Sequence, residues 1–288
     1  CINTALNYCL IFGNLGFPEC GAAGAAMATL CSRLVELFIV LAFIRFREKI
    51  LHIRWKDLFS ATGQCVRDYI RVASPIILSD GLWGLAMLIQ SAVLGHMGQE
   101  AIAANSIATI VFQIMSVVSY GSSSAAGIIT GKAVGSGDRE RAIRYTKTFQ
   151  ILFLGIGILT GAMIFLAKGP ILTFYQVSEG TKQLANQFLT VLSVTSIGTS
   201  YQVACLTGIV RGGGDTKFVL INDLIFMWGI VLPSSAAAAF LLGLPPVIVF
   251  ICLKCDQVLK CLVAVVKVNR FNWMKKVTRE DTAEMVGP

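Results

Sequence analysis

Seven ionisable side chains stand inside long apolar runs of this 288-residue sequence: the carboxylates Asp80, Asp223, Asp256 and Glu36 and the cations Arg33, Lys254 and Lys260. A charge taken out of water needs a partner, or it gives up its charge, so each such group is a candidate for function. Asp80 is the sharpest. It lies nine residues beyond Arg71, about 13 Å along a helix that rises 1.5 Å per residue, which predicts a position near mid-membrane. Its neighbours Gly81, Trp83 and Gly84 predict a face with room and an aromatic wall. A carboxylate in so poor a solvent waits for a proton or a cation, the property that a coupling site needs, or else pairs with a neighbouring helix for packing. Asp223, beside Asn222, lies about two turns in from Lys217. It is either a second coupling carboxylate or a group shallow enough to reach the interface or a loop arginine. Asp256 and Lys260 are spaced i, i+4 with the acid first, and Arg33 and Glu36 are spaced i, i+3; both spacings favour local, structural ion pairs. Gln90, Asn105 and Gln113 are expected either to line a polar cavity or to hydrogen-bond across helices.

The elements that carry these groups follow from composition. Hydrophobic residues make up 55% of the chain and charged ones 14%, against about 25% charged in soluble domains. With a mean hydropathy of +0.72, a disordered chain, a collagen-like repeat and an ordinary soluble enzyme are all excluded as readings. Eight apolar runs can be drawn. The first, Cys1 to Phe12, is partial; the others are roughly Ala22–Ile44, Val72–Leu94, Ile102–Gly131, Thr148–Leu166, Asn186–Val210, Phe218–Leu242 and Pro246–Val266. Spanning strands would alternate over about ten residues. Long solid runs instead predict helices, which satisfy every backbone group in lipid. The fold class is therefore all-α, a polytopic membrane helix bundle.

The net charge of +8 would suit a nucleic-acid binder if the chain were soluble. All but five of the 24 Lys and Arg residues, however, follow the second, fourth, sixth and eighth runs. The exceptions are Lys168 and Lys182 in other connections and the three intramembrane cations. This asymmetry predicts that the even connections and the C-terminus face the cytoplasm, and no nucleic-acid partner is expected. Nine cysteines cannot all pair within one chain, and Cys252-Leu-Lys-Cys255 lacks the second ligand pair of a zinc site, so no metal is expected. No signal peptide is visible before Cys1, and the sequence reads as starting within a helix.

An internal repeat orders the runs. Gly16-Phe-Pro18 leads into the second and Gly243-Leu-Pro245 into the eighth, and the same offset carries Arg33 onto Lys260. The repeat unit is then six spans in one orientation, as in transporters built from parallel halves. About eight spans of an expected twelve are visible. Residues 1–44 are read as the last two helices of a first lobe, 45–71 as a cytoplasmic linker, 72–268 as a six-helix second lobe and 269–288 as a cytoplasmic tail. Gly121-Ser-Ser-Ser-Ala-Ala-Gly127, with Gly131, Gly135 and Gly137, predicts close helix approach and bending.

Enzyme motifs fail on inspection. Ala126–Ala133 lacks the first Gly and the closing Ser or Thr of a phosphate loop. Gly212-Gly-Gly214-Asp215 matches a Gly-x-Gly-Asp protease signature, but no Tyr-Asp partner exists in the chain. His52 and His96 lie in connections, away from any buried serine.

Over essentially its whole length the chain resembles the multidrug and toxic compound extrusion (MATE) family. Leu6-Asn-Tyr-Cys-Leu-Ile-Phe-Gly13, Gly24-Ala-Ala-Met-Ala-Thr29 and Ser32-Arg-Leu-Val-Glu36 are similar to its fifth and sixth helices. Ala103-Ala-Asn105 and Gly131-Lys-Ala-Val-Gly135-Ser-Gly137 are similar to its eighth helix and the loop after it. Arg211-Gly-Gly-Gly-Asp-Thr-Lys217, with Asp223, Trp228 and Pro233, is similar to its tenth loop and eleventh helix. The resemblance implies two six-helix lobes in the cell membrane, a bacterial inner membrane, and alternating access by a monomer. It implies a secondary antiporter exporting organic cations or drugs in exchange for Na⁺ or H⁺, with no other cofactor, and no enzyme. Asp80, a few positions after Pro75, occupies the place of an acidic residue in the family's seventh helix, and Trp83 would line the cavity. No carboxylate stands in Asn186–Val210, where some Na⁺-coupled members carry one. The alternatives are a flippase for a lipid-linked oligosaccharide, expected to line its cavity with Arg, and an uncoupled membrane scaffold or channel.

Overall fold

A computed structural model describes residues 2–13, 16, 18–46 and 63–275 of the chain. Most of the segment read as a linker, and the tail beyond residue 275, lie outside the described residues. Cys1–Asp68 and Tyr69–Pro288 form two compact units. In the first, α1 (Ile2–Phe12) packs on α2 (Gly21–Phe46). The Cys20 amide donates to the Leu10 carbonyl at 2.9 Å, and Gly24 is pressed so closely on Leu10 that a Cβ would overlap its backbone.

In the second unit α3 (Gly63–His96) enters from the boundary, and α4 (Gln99–Met115), α5 (Val117–Gly135) and α6 (Arg139–Phe174) follow. α7 covers Glu179–Val210 and α8 Thr216–Leu241, each partly wound as π-helix, over Val203–Val210 in α7 and over Leu224–Val231 and Ala237–Leu241 in α8. α9 (Pro246–Asn269) closes the order. Local sequence sets the starts. Asp138 Oδ1 accepts from the Arg141 amide at 2.9 Å and Ser178 Oγ from the Thr181 amide at 3.2 Å, satisfying amides that the first turn leaves free. Pro246 opens α9, where a missing N–H costs nothing.

Among the described residues five helices are each long and apolar enough to span a membrane: α2, the Tyr69–His96 part of α3, α6, α7 and α8. Two of the eight expected spans fall outside this set by composition or length. α9 carries Lys254, Asp256, Lys260 and Lys267, and α1 is short. The run read as one span from Ile102 to Gly131 is two helices, α4 and α5, meeting at 50°. The turn is at buried Ser116, whose amide still bonds to Phe112 O at 2.9 Å. Of the close approach and the bending expected from the glycines of this run, close approach is what they supply. Gly127 and Gly131 of α5 face Gly208 and Gly212 of the α7 end, and a Cβ on Gly212 would stand 2.6 Å from the Gly127 carbonyl oxygen. The missing side chains let the two backbones touch.

The interior divides into two apolar clusters. One gathers Phe188 and Phe250, stacked at 4.1 Å, with Val93, Ile107, Ile164 and Val231. The other gathers Trp273, Phe153, Ile209 and Val268. Many large apolar side chains, Ile128, Ile151 and Leu166 among them, remain on the outside. A water-soluble surface does not tolerate so much apolar area, whereas lipid does; the chain is a multi-pass membrane protein.

Candidate functional site

Three helices of the second unit bring polar groups to one small cleft. Ser79, Leu82 and Trp83 come from α3, Leu220, Asp223, Leu224, Met227 and Trp228 from α8, and Lys260 from α9. Asp223 is the centre of the polar side. Its Oδ2 accepts from Ser79 Oγ at 2.9 Å and its Oδ1 from Lys260 Nζ at 2.9 Å. Lys260 is 4% exposed, and its ammonium also stands 3.4 Å from Asp256 Oδ2. Asp256 is 1% exposed, yet neither of its oxygens has a hydrogen-bond partner. The ammonium is near it in charge terms but not aligned as a donor.

At ion-pair distance two carboxylates therefore share one cation, Lys260, while Lys254 acts on Asp256 from farther off. A buried charge that lacks its full set of donors is costly. That cost falls when a cation reaches the cleft, which Asp223 lines and Asp256 does not. The apolar walls suit an aromatic guest: Trp83 is half exposed and Trp228 presents a buried indole N–H with no partner. Faces of this kind attract cations as well as flat rings.

Asp80, one residue past Ser79, turns to a different neighbour. Arg211 grips it with two bonds, Nη2 to Oδ2 at 3.0 Å and Nη1 to Oδ1 at 3.3 Å. Of the two readings of Asp80, a coupling carboxylate or one paired to a neighbouring helix for packing, this geometry matches the pair. Arg211, counted by position as a loop cation, keeps helical backbone angles after the π-wound end of α7, and its guanidinium reaches the α3 carboxylate. The cavity expected from Trp83, Gln90, Asn105 and Gln113 is also narrower than predicted. Trp83 lines the cleft. Gln90 is buried behind it, donating to the sulfur of Met227 at 3.2 Å. Asn105 and Gln113 lie on α4, half-buried and exposed respectively, and neither is part of the cleft wall. In the first unit Arg33 meets Glu36 at 2.7 Å on an exposed surface. Lys254 lies 5.6 Å from the ring of Phe250. The described cysteines, Cys252 and Cys255 included, are free thiols.

A second ionic cluster escaped the sequence reading. Asp215, buried in the loop between α7 and α8, accepts from Lys275 Nζ at 2.7 Å and pairs with Lys267 Nζ at 2.8 Å. Burial alone would raise its pKa, but the two lysines outweigh it and hold the carboxyl below its ordinary range. Beside it Trp273 is fully buried against Gly213, where any side chain would collide with the indole. The Lys275 amide donates to Gly213 O at 2.9 Å. The residues just after α9 are thus fastened onto the glycine-rich loop. The rejected protease signature, Gly212 to Asp215, was the only mark of this in the sequence.

Comparison with known proteins agrees with this architecture. The "Probable multidrug resistance protein NorM" of Thermotoga maritima is 27% identical over 241 residues, covering 81% of this chain and 50% of that protein. The same-named protein of Rhizobium meliloti is 29% identical over 253 residues, 84% of this chain and 53% of that protein. The chain spans about half the length of the curated relatives it matches. Two solved structures superpose with a TM-score of 0.80. One is an outward-facing multidrug resistance MATE transporter of the MOP superfamily, 21% identical, covering 94% of this chain and 60% of its own. The other is a MOP superfamily transporter from Pyrococcus furiosus, 23% identical, covering 96% and 61%. Both share the helical fold. The MatE family model matches residues 75–237, more than half of the sequence, and the chain belongs to the MatE family.

Proposed function

We propose that the protein is a secondary antiporter that exports organic cations in exchange for Na⁺ or H⁺ by alternating access. The observation that carries this reading is the carboxylate of Asp223 in the wall of a tryptophan-lined cleft, in a cluster where two carboxylates share one ammonium at ion-pair distance. An aromatic cation supplies both the missing charge and a surface for Trp83 and Trp228. A small inorganic cation or a proton supplies the charge alone. Occupancy by one excludes the other, and a site that alternates between them exchanges them when access alternates. Asp223 is the principal coupling residue of this scheme and Asp80 a second, held in reserve by Arg211. The distribution of Lys and Arg supports a cytoplasmic C-terminus in a cell membrane of bacterial type, and the family resemblance a monomer.

The test is efflux of ethidium from proteoliposomes carrying the protein under an imposed Na⁺ or H⁺ gradient. Gradient-dependent efflux that disappears in Asp223→Asn is the expected result. Efflux indifferent to both gradients points to a channel or scaffold, and a requirement for lipid-linked sugar to the flippase. Asp80→Asn moving ethidium at the wild-type rate removes Asp80 from the scheme.

A further inference from the structure

We propose that Lys260 sets the charge of the guest: it occupies one of two carboxylates and so limits the cleft to one added positive charge. This rests on the export of organic cations proposed above and deepens it. The geometry is a two-place seat. Lys260 Nζ is 2.9 Å from Asp223 Oδ1 and 3.4 Å from Asp256 Oδ2. A shift of about half an ångström, small for a four-carbon side chain with three rotatable donors, moves it from a bond with Asp223 to a bond with Asp256. Asp256 has both oxygens free of hydrogen bonds to receive it. Asp223, which alone of the two lines the cleft, is then released to the incoming cation while Ser79 continues to hold its other oxygen. With the guest seated, one ammonium and one guest cation stand at ion-pair distance from two carboxylates. Lys260 is thus a resident surrogate for the guest's charge and a specificity residue. Asp256, remote from the cleft wall, is a positioning residue that receives the lysine when the guest arrives.

The two-place seat makes opposite predictions for the two residues. Lys260→Met leaves two carboxylates open and favours a dication. Asp256→Asn leaves Lys260 nowhere to retire and weakens a monocation. The measurement is binding of ethidium, a monocation, and propidium, a dication on the same ring system, to the purified protein in detergent, followed by fluorescence anisotropy. Wild type is expected to prefer ethidium. Lys260→Met is expected to move the ratio of affinities on the order of ten-fold toward propidium, equivalent to one charge-assisted bond. Asp256→Asn, which strands no charge and keeps the Lys260–Asp223 bond, is expected to weaken ethidium by a similar factor with an unchanged melting temperature. The double variant, in which carboxylates again outnumber ammonium groups by one at ion-pair distance, is expected to return to the wild-type ratio. A ratio unmoved by Lys260→Met, or an ethidium affinity unmoved by Asp256→Asn, overturns the role of Lys260 and leaves cation export standing. Failure of ethidium to bind wild type overturns cation export, and this inference with it.

Discussion

Helix α9 takes part in two buried ionic clusters of opposite balance. Toward its middle, Lys260 serves two carboxylates, Asp223 and Asp256. Toward its end, one carboxylate, Asp215, serves two lysines, Lys267 and Lys275. The first cluster is short of donors, with both oxygens of Asp256 unpartnered. The second is complete, each oxygen of Asp215 holding its own ammonium at 2.7 or 2.8 Å. A complete cluster fastens structure, here the segment after α9 onto the loop before α8. An incomplete one retains an appetite for a cation. Burial is common to both, so depth alone does not tell the two apart; the count of charges at ion-pair distance does.

The largest effect that would break this contrast is Lys260→Met. It strands two carboxylates and is expected to cost about 3–5 kcal/mol, the range for removing one partner of a buried pair, read as a drop in the melting temperature of the detergent-solubilised protein. Adding Asp256→Asn to it should recover most of that loss. Gly213→Ala comes next. Its methyl group meets the Trp273 ring, so overpacking of about 1–3 kcal/mol is expected, with a shift in tryptophan emission as the indole is displaced. At the complete cluster, Lys275→Met leaves Lys267 in place and removes only a half-exposed partner. After allowance for solvent screening, a loss below about 1 kcal/mol is expected.

Acid distinguishes the clusters in another way. The Asp215 carboxyl is held below its ordinary range by Lys267 and Lys275, so its stabilising contribution is present above the unfolded pKa of about 4 and lost as pH falls through the lower folded value. Trp273 fluorescence should therefore hold steady down to about pH 4 and change only below it. In Asp215→Asn that acid step is expected to vanish. A step of the same size in the variant would show that Asp215 does not fasten the segment.

Much of the fold is legible in the residues. Apolar runs predict helices because lipid leaves the backbone no other partner, and the start of α9 follows from the Leu244-Pro245-Pro246 sequence that opens it. Pairs on one helix are legible too, since i, i+3 and i, i+4 spacing places Arg33 near Glu36 and Asp256 near Lys260. Distance along the chain hides the rest. Lys260 finds Asp223 across 37 residues and Arg211 finds Asp80 across 131, and no periodicity records such meetings. The repeat that aligned Arg33 with Lys260 conveyed a shared position, but their surroundings differ: one is exposed beside a single glutamate, the other buried between two aspartates. The 50° break between α4 and α5 was hidden for a different reason, since Ser116 is as ordinary in a helix as outside one.

The close approach of Gly127 and Gly131 to Gly208 and Gly212 also bears on how this gene can change. Every missense change at a glycine codon adds at least a carbon atom, which along this seam would overlap the opposing backbone at Gly208 and Gly212 and crowd it at Gly127 and Gly131. Elsewhere a mutation can be absorbed by a rotamer, but here the opposing surface is peptide backbone and has none to offer. Drift in sequence is therefore expected to pass through the lipid-facing residues of α5 and α7 and to stop first at Gly208 and Gly212.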